Sequence, residues 1–172
     1  MAIELEPFIR DVPDFPKKGI VFKDITPLLA DRTALKHAID SLSQSFAGRG
    51  ISKVIGIESR GYIFAPAMAL SLGCGFVPVR KPGKLPWETV SEEYALEYGT
   101  DRLEIHTDAI VPGERVLIVD DLLATGGTAS AARRLAERLK GQVVGAGFLV
   151  ELKFLEGRSR LPGIDVVSLI QY

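Results

Sequence analysis

Hydrophobic positions fall into two alternating kinds of run along this chain. Short apolar stretches at 54–57, 76–79, 116–119 and 143–150 are rich in valine and isoleucine and bounded by turn formers or charges, which predicts strands buried on both faces. Between them apolar residues recur at helical spacing. Leu35, Ala38, Ile39, Leu42 and Phe46 share one helix face, with Asp31 placed to cap its start. The alanine-rich run 62–72 reads as a second helix, and Ala129, Ala132, Leu135, Ala136 and Leu139 mark a third. The stretch 103–106 alternates like a half-exposed strand, and 165–170 supplies a last one. Strands alternating with helices predict an α/β fold, a mostly parallel central sheet flanked by helices.

Two regions stand outside this alternation. In residues 1–30, Pro7, Pro13, Pro16 and Pro27 break any long helix, leaving only a short β-prone run at Ile20, Val21 and Phe22. Residues 85–101 carry Trp87 and several glutamates with weak periodicity, and a patternless stretch of that length is often a lid or another functional loop. Composition then narrows the class. A chain of 172 residues fits a single domain spanning 1–172, without internal repeats. A net charge of −1 argues against a broad nucleic-acid or membrane-surface footprint. One cysteine, Cys74, allows no intramolecular disulfide. The first residues have neither the basic nor the apolar region of a signal peptide, and no apolar run is long enough to span a bilayer, so a cytoplasmic protein is expected.

Chemistry concentrates where the 116–119 strand ends. Asp120 and Asp121 follow it in tandem, then a small-residue loop, Ala124, Thr125, Gly126, Gly127 and Thr128, opens the third helix. The carboxyl end of such a strand is where α/β sheets bind ligands. Backbone N–H groups of that loop, with the helix dipole behind them, suit one anion, and the glycines allow close approach. The aspartates would repel the same anion; they suit vicinal hydroxyls as hydrogen-bond acceptors, or a divalent cation. Gly and Asp also serve turn geometry in many connections, but charge buried to no purpose is costly. An anion loop beside diol acceptors reads as a ribose-5-phosphate site. A second strand–turn–helix unit ends in Glu58, Ser59, Arg60 and Gly61; Arg60 there is either an ordinary surface arginine or a bidentate phosphate clamp. The cations Arg80, Lys81 and Lys84 follow the third strand and suit either solvent or a polyanion.

The run from Val119 to Thr128, Val-Asp-Asp-Leu-Leu-Ala-Thr-Gly-Gly-Thr, resembles the phosphoribosyl-diphosphate (PRPP) motif of type I phosphoribosyltransferases, in the wording of the adenine-specific branch. The resemblance extends from Pro13 to Tyr172. Pro-Asp-Phe-Pro at 13–16 with Gly-Ile-Val-Phe-Lys-Asp at 19–24 is similar to that branch's N-terminal hood, which implies adenine contacts at Val21, Phe22 and Lys23 by ring stacking and main-chain bonds. Lys23 stands where arginine is usual; through the main chain that change is harmless, through guanidinium stacking it is not. The Glu-Ser-Arg-Gly run looks like the pyrophosphate loop and implies a non-proline cis peptide, with Ser59 and Arg60 on PRPP. Arg80, Lys81 and Lys84 match cations that meet pyrophosphate, partly across a dimer interface. Residues 82–101 resemble a flexible catalytic loop in which Glu97 faces the purine imidazole with Tyr98 beside it; composition alone could not choose among the glutamates there. Leu152 matches a wall of the purine pocket.

Taken together, the resemblance implies transfer of the 5-phosphoribosyl group from PRPP to adenine, with Arg60, Glu97 and Tyr98 as catalytic residues and a homodimer as the expected assembly. It implies Mg²⁺ held mainly through PRPP and water, with Asp120 and Asp121 as candidate contacts. Neither a nucleic acid nor a membrane is expected as partner. Guanine, hypoxanthine or xanthine transfer would use the same PRPP site, and a PRPP-sensing regulator or a PRPP-making diphosphokinase would share parts of it. The 21–23 hood and the Leu-Glu-Tyr-Gly wording at 96–99 argue against the first. A near-zero net charge argues against the second, and chain length against the third.

Overall fold

The computed structural model describes residues 3–95 and 99–172. Five strands form one parallel sheet: β3 (Lys53–Ile57), β4 (Gly75–Val79), β7 (Arg115–Leu123), β8 (Gln142–Glu151) and β9 (Asp165–Gln171), in the order β4-β3-β7-β8-β9. The strand with the tandem aspartates, β7, is therefore central. Its residues 116–119 are wholly buried, because helices cover both faces. On one face lie α2 (Arg32–Phe46) and α3 (Gly61–Leu72), packed through Phe46, Leu42, Phe64 and Met68 against Leu117, Val119 and Leu149. On the other lies α4 (Gly127–Arg138), whose Ala129, Ala132, Leu135 and Ala136 pack against Ile55, Ile118 and Phe148. Burial of these large side chains is the main stabilisation of the fold, roughly 1.5–3 kcal/mol for each. Asp31 caps α2 as expected, accepting from the N–H groups of Thr33 and Ala34 at 2.9 and 2.8 Å.

Outside the sheet are two antiparallel ribbons. β1 (Arg10–Pro13) pairs with β2 (Val21–Asp24) to form a hood, followed by a short helix, α1 (Thr26–Ala30), that the prolines concealed. β5 (Thr89–Ala95) pairs with β6 (Thr100–His106). A regular strand at 89–95 departs from the patternless reading of that stretch. Its order comes from partners the local pattern does not contain. The Glu92 carboxylate takes the guanidiniums of Arg134 and Arg138 at 2.6 and 3.2 Å, and the Ser91 carbonyl accepts from Arg138 at 2.7 Å. Two further boundaries differ from the sequence reading. β7 runs on through Asp120 and Asp121 to Leu123, so the aspartates belong to the strand rather than to a turn. The polar connection after β8 contains two short 3-10 turns, Lys153–Leu155 and Gly157–Arg160. No helix among the described residues is long and apolar enough to cross a membrane.

Candidate active site

The carboxyl ends of β3 and β7 meet α4 at a pocket of about 180 Å³, lined by Arg60, Asp120, Asp121 and residues 122–129. At about 30 Å³ of liquid volume per water, that is room for far more than one bound ion. Alternation along β7 sends successive side chains to opposite faces, and Asp121, at 4% exposure, is the deeper of the two aspartates. Asp120 turns one oxygen back to accept the N–H of Asp121 at 2.9 Å. Burial, and then the neighbouring Asp121 charge, pushes the Asp120 carboxyl well above the usual carboxylate range. Burial raises Asp121 as well, opposed by the Arg60 guanidinium, whose Nε lies 3.0 Å from Asp121 Oδ2. The protein thus carries a buried strand-end carboxyl pair that one arginine only partly compensates. Ligand hydroxyls donating to these oxygens would supply the rest.

The loop from Ala124 to Thr128 is shaped by backbone rather than by side chains. Gly126 occupies the N-cap of α4 at φ 80°, and no side chain caps the helix. The first-turn N–H groups have no intrahelical acceptor, and their residues line the pocket at the positive end of the helix dipole, an arrangement that suits an anion. A Cβ at Gly126 would sit 2.4 Å from the carbonyl oxygen of Gly157, so both the backbone conformation and the packing demand glycine there.

Arg60 joins this pocket to the hood. It follows a cis peptide between Glu58 and Ser59, the bond expected from the motif. While its Nε pairs with Asp121, its guanidinium carbon lies 5.3 Å from the centre of the Phe22 ring. Phe22 in turn meets Phe15 edge-on at 5.2 Å. An apolar ring surface and a buried carboxylate are therefore bridged by one cation. Lys23 points the other way along β2: its Nζ contacts Asp11 at 2.7 Å and lies 3.6 Å from the centre of the Tyr172 ring. Only its main chain is left for the pocket side, as Phe22 and Lys23 occupy opposite faces of the ribbon. Val21 is half exposed at the ribbon end. Leu152 is partly buried just beyond β8, its N–H bonded to the Leu123 carbonyl at 2.9 Å.

Arg80, Lys81 and Lys84 do not line the loop pocket. Arg80 grips both oxygens of Glu58 at 3.1 Å and also donates to the Lys84 carbonyl. Those bonds and the Lys81 N–H hold the Glu58 carboxyl below its ordinary range against the opposing effect of burial. Lys81 Nζ is taken by Asp101 and by the Tyr94 hydroxyl. Sequence reasoning placed these cations correctly at the end of β4 but missed their partners. Glu58 was visible inside the motif without its role, and Asp101 carried no local signal because β6 brings it from 20 residues away. Glu97 and Tyr98 lie outside the described residues. Among the described residues no group of three or more His, Cys, Asp or Glu side chains is arranged to hold a metal ion.

Comparison with known proteins identifies the family of the chain. The phosphoribosyl transferase domain family matches residues 24–164. The adenine phosphoribosyltransferase of Thermotoga maritima is 59% identical over 170 residues, 99% of this chain and 98% of its own. That of Halothermothrix orenii is 55% identical over 98% of this chain and 99% of its own. Among solved structures, adenine phosphoribosyltransferase from Thermoanaerobacter pseudethanolicus superposes with a TM-score of 0.95 at 55% identity, covering 98% of each chain. The Saccharomyces cerevisiae adenine phosphoribosyltransferase, solved with an imino-altritol bisphosphate and adenine, gives 0.90 at 43% identity over 96% of each chain.

Proposed function

The chain belongs to the phosphoribosyltransferase family, and we propose that its β7–α4 pocket and its hood are the two halves of one adenine-transferring site. The protein is a glycosyltransferase that moves the 5-phosphoribosyl group of PRPP to adenine, giving AMP and pyrophosphate in purine salvage. The observation that carries the residue assignment is the continuous contact Phe22–Arg60–Asp121 beside an uncapped helix N-terminus.

In this reading the 5-phosphate lies on the N–H groups of residues 124–128, and the ribose hydroxyls donate to Asp120 and Asp121. Ser59 and Arg60 hold pyrophosphate oxygens, with Arg80 and Lys81 released toward them from Glu58 and Asp101 and with Lys84 beside them. Adenine stacks on Phe22, meets the main chain of Val21 and Lys23, and packs against Leu152. A bond forms from N9 to the ribose anomeric carbon while the bond to pyrophosphate breaks, its electron pair leaving on pyrophosphate and the N9 proton leaving the base. Glu97 is assigned to the purine imidazole, steering that proton, with Tyr98 beside it and the 82–101 segment acting as a lid that keeps water from the oxocarbenium-like centre. Positioning and charge stabilisation supply most of the rate, with each lost donor costing about 3 kcal/mol by analogy with oxyanion sites. Phosphoribosyltransferases of this type use Mg²⁺ with PRPP, where it neutralises charge on the leaving group. The hard carboxylate oxygens of Asp120 and Asp121 fit a cation held chiefly by substrate and water. The whole chain acts as one catalytic unit in the cytoplasm, with residues 1–30 as the hood. It works as a homodimer, a reading supported by exposed Leu70 and Ile63 on α3. The test is to incubate the protein with PRPP, Mg²⁺ and each purine base in turn. AMP and pyrophosphate from adenine alone are expected; nucleotide from guanine or hypoxanthine with adenine inert would overturn the assignment.

A further inference from the structure

We propose that Arg160 is an additional substrate-binding cation of this site, reaching the 5-phosphate that PRPP and AMP share. The proposal rests on the reading of the β7–α4 pocket given above. Arg160 closes the 3-10 turn Gly157–Arg160, and that turn is locked against the phosphate loop from several sides. A Cβ at Gly157 would fall 2.3 Å from the Ala124 carbonyl oxygen, and one at Gly126 would fall 2.4 Å from the Gly157 carbonyl oxygen. The two glycines allow the backbones to touch there, with no space for a side chain between them. Arg158 then fixes the turn to the end of β8 by a fork onto both oxygens of buried Glu151, each at 2.6 Å, with Ser168 also bonded to that carboxylate. Leu161 is buried in the core, and Arg133 donates to the Pro162 carbonyl at 2.6 Å.

The one long side chain of the turn left outside this framework is that of Arg160. Among the described residues it has no hydrogen bond or ion pair. Its Nη1 comes within 3.8 Å of the position a Cβ would take on Gly127, the first residue of α4, where the Ala95 carbonyl at the end of β5 lies 3.4 Å away. A guanidinium held at the positive end of a helix, with no carboxylate to balance it, faces charge of its own sign. An anion on the helix N-terminus converts both repelling partners into binding groups, and a guanidinium fork suits phosphate oxygens. The backbone of residue 160 is fixed in advance by Gly157, Arg158 and Leu161, so little ordering remains when the anion arrives.

The experiment compares wild type, Arg160→Gln and Arg160→Lys as full-length proteins. It measures KM for PRPP and adenine, inhibition constants for AMP and pyrophosphate, and the melting midpoint. Loss of one charge-assisted hydrogen bond predicts a roughly tenfold rise in KM for PRPP and in the AMP constant for Arg160→Gln. Adenine KM, the pyrophosphate constant and the midpoint should stay near wild type, and Arg160→Lys should recover part of the loss, through charge without the fork. Unchanged PRPP and AMP constants would overturn the proposal while leaving the adenine-transfer reading intact. An equal rise in all four constants with a lowered midpoint would also overturn it, since that marks a structural role. A wild type that makes no AMP would overturn both.

Discussion

β7 lies between β3 and β8 with helices on both faces, and the phosphate loop leaves it with its start already fixed by the core. Each hood strand has one partner strand only, and the ribbon is cross-linked by polar pairs with one exposed member each: Arg10 with Asp24 at 3.3 Å and Lys23 with Asp11 at 2.7 Å. Partly exposed pairs of that kind contribute about 0–1 kcal/mol each, whereas the apolar residues of β7 carry the transfer free energy of full burial. In the proposed site the sugar-phosphate half is thereby built on a rigid frame, at the cost of a buried carboxyl pair that Arg60 only partly compensates. The purine half is held by weak contacts and can adjust to its ligand. Arg60, between Asp121 and Phe22, links the two halves through side chains.

The sharpest way to break this contrast is Asp121→Asn. The change keeps the shape but removes an acceptor for the ribose hydroxyls and the partner of Arg60. The catalytic rate constant should fall on the order of a hundredfold, the size of one lost transition-state contact. Stability should move the other way. Burial raises the pKa of both aspartates in the folded chain, so ionising them near neutral pH costs folding free energy that the unfolded chain does not pay. Removing one of the two buried charges should therefore leave the melting midpoint unchanged or higher, a trade of stability for function. A lower midpoint with near-normal turnover would show that Asp121 serves the fold instead.

Phe22→Ala addresses the other half. A base stacked on an aromatic ring is worth about 1–3 kcal/mol, so KM for adenine should rise roughly tenfold. KM for PRPP should change little, because Asp121 still holds Arg60. Steady-state kinetics with each substrate varied in turn would decide it. Equal rises for both substrates would mean that the Phe22–Arg60 contact couples the halves more tightly than their construction suggests.

The two halves also differ in how far the chain alone reveals them. Strands 54–57, 76–79, 116–119 and 143–150 and the helix faces were legible because buried parallel strands and amphipathic helices write their period locally. The anion loop and tandem aspartates were legible because charge at the end of an apolar strand has few structural excuses. In the hood and the β5–β6 ribbon only the short runs at 20–22 and 103–106 were, because the pairing of the rest depends on distant partners. Arg134 and Arg138 on α4 hold β5 through Glu92, and Asp101 and Tyr94 hold Lys81. No periodicity at 85–101 records those contacts. Glu58 shows the same limit inside a motif: its spacing was readable, its grip on Arg80 was not.

Lys23 gives the smallest expected effect and the finest test of the contrast. Arginine is usual at this position in the family the chain resembles, so a guanidinium stacking role would make lysine a defect. The side chain instead turns from the pocket to Asp11 and to the face of the Tyr172 ring, and the Tyr172 backbone is bonded to Glu151 and Lys153 beside Leu152. Lys23 is then a strut between the hood and Tyr172, and in the proposed site it would meet the purine through its main chain alone. Lys23→Met removes the strut: one ion pair of about 0–1 kcal/mol and one cation–π contact of about 0.5–1 kcal/mol. The melting midpoint should drop by a few degrees, and KM for adenine should rise by no more than about threefold as the hood loosens. Lys23→Arg should match wild type in both, because a guanidinium can make the same two contacts. A large gain in adenine affinity from Lys23→Arg would place the side chain in the purine pocket and would mean that the hood turns its other face to the ligand.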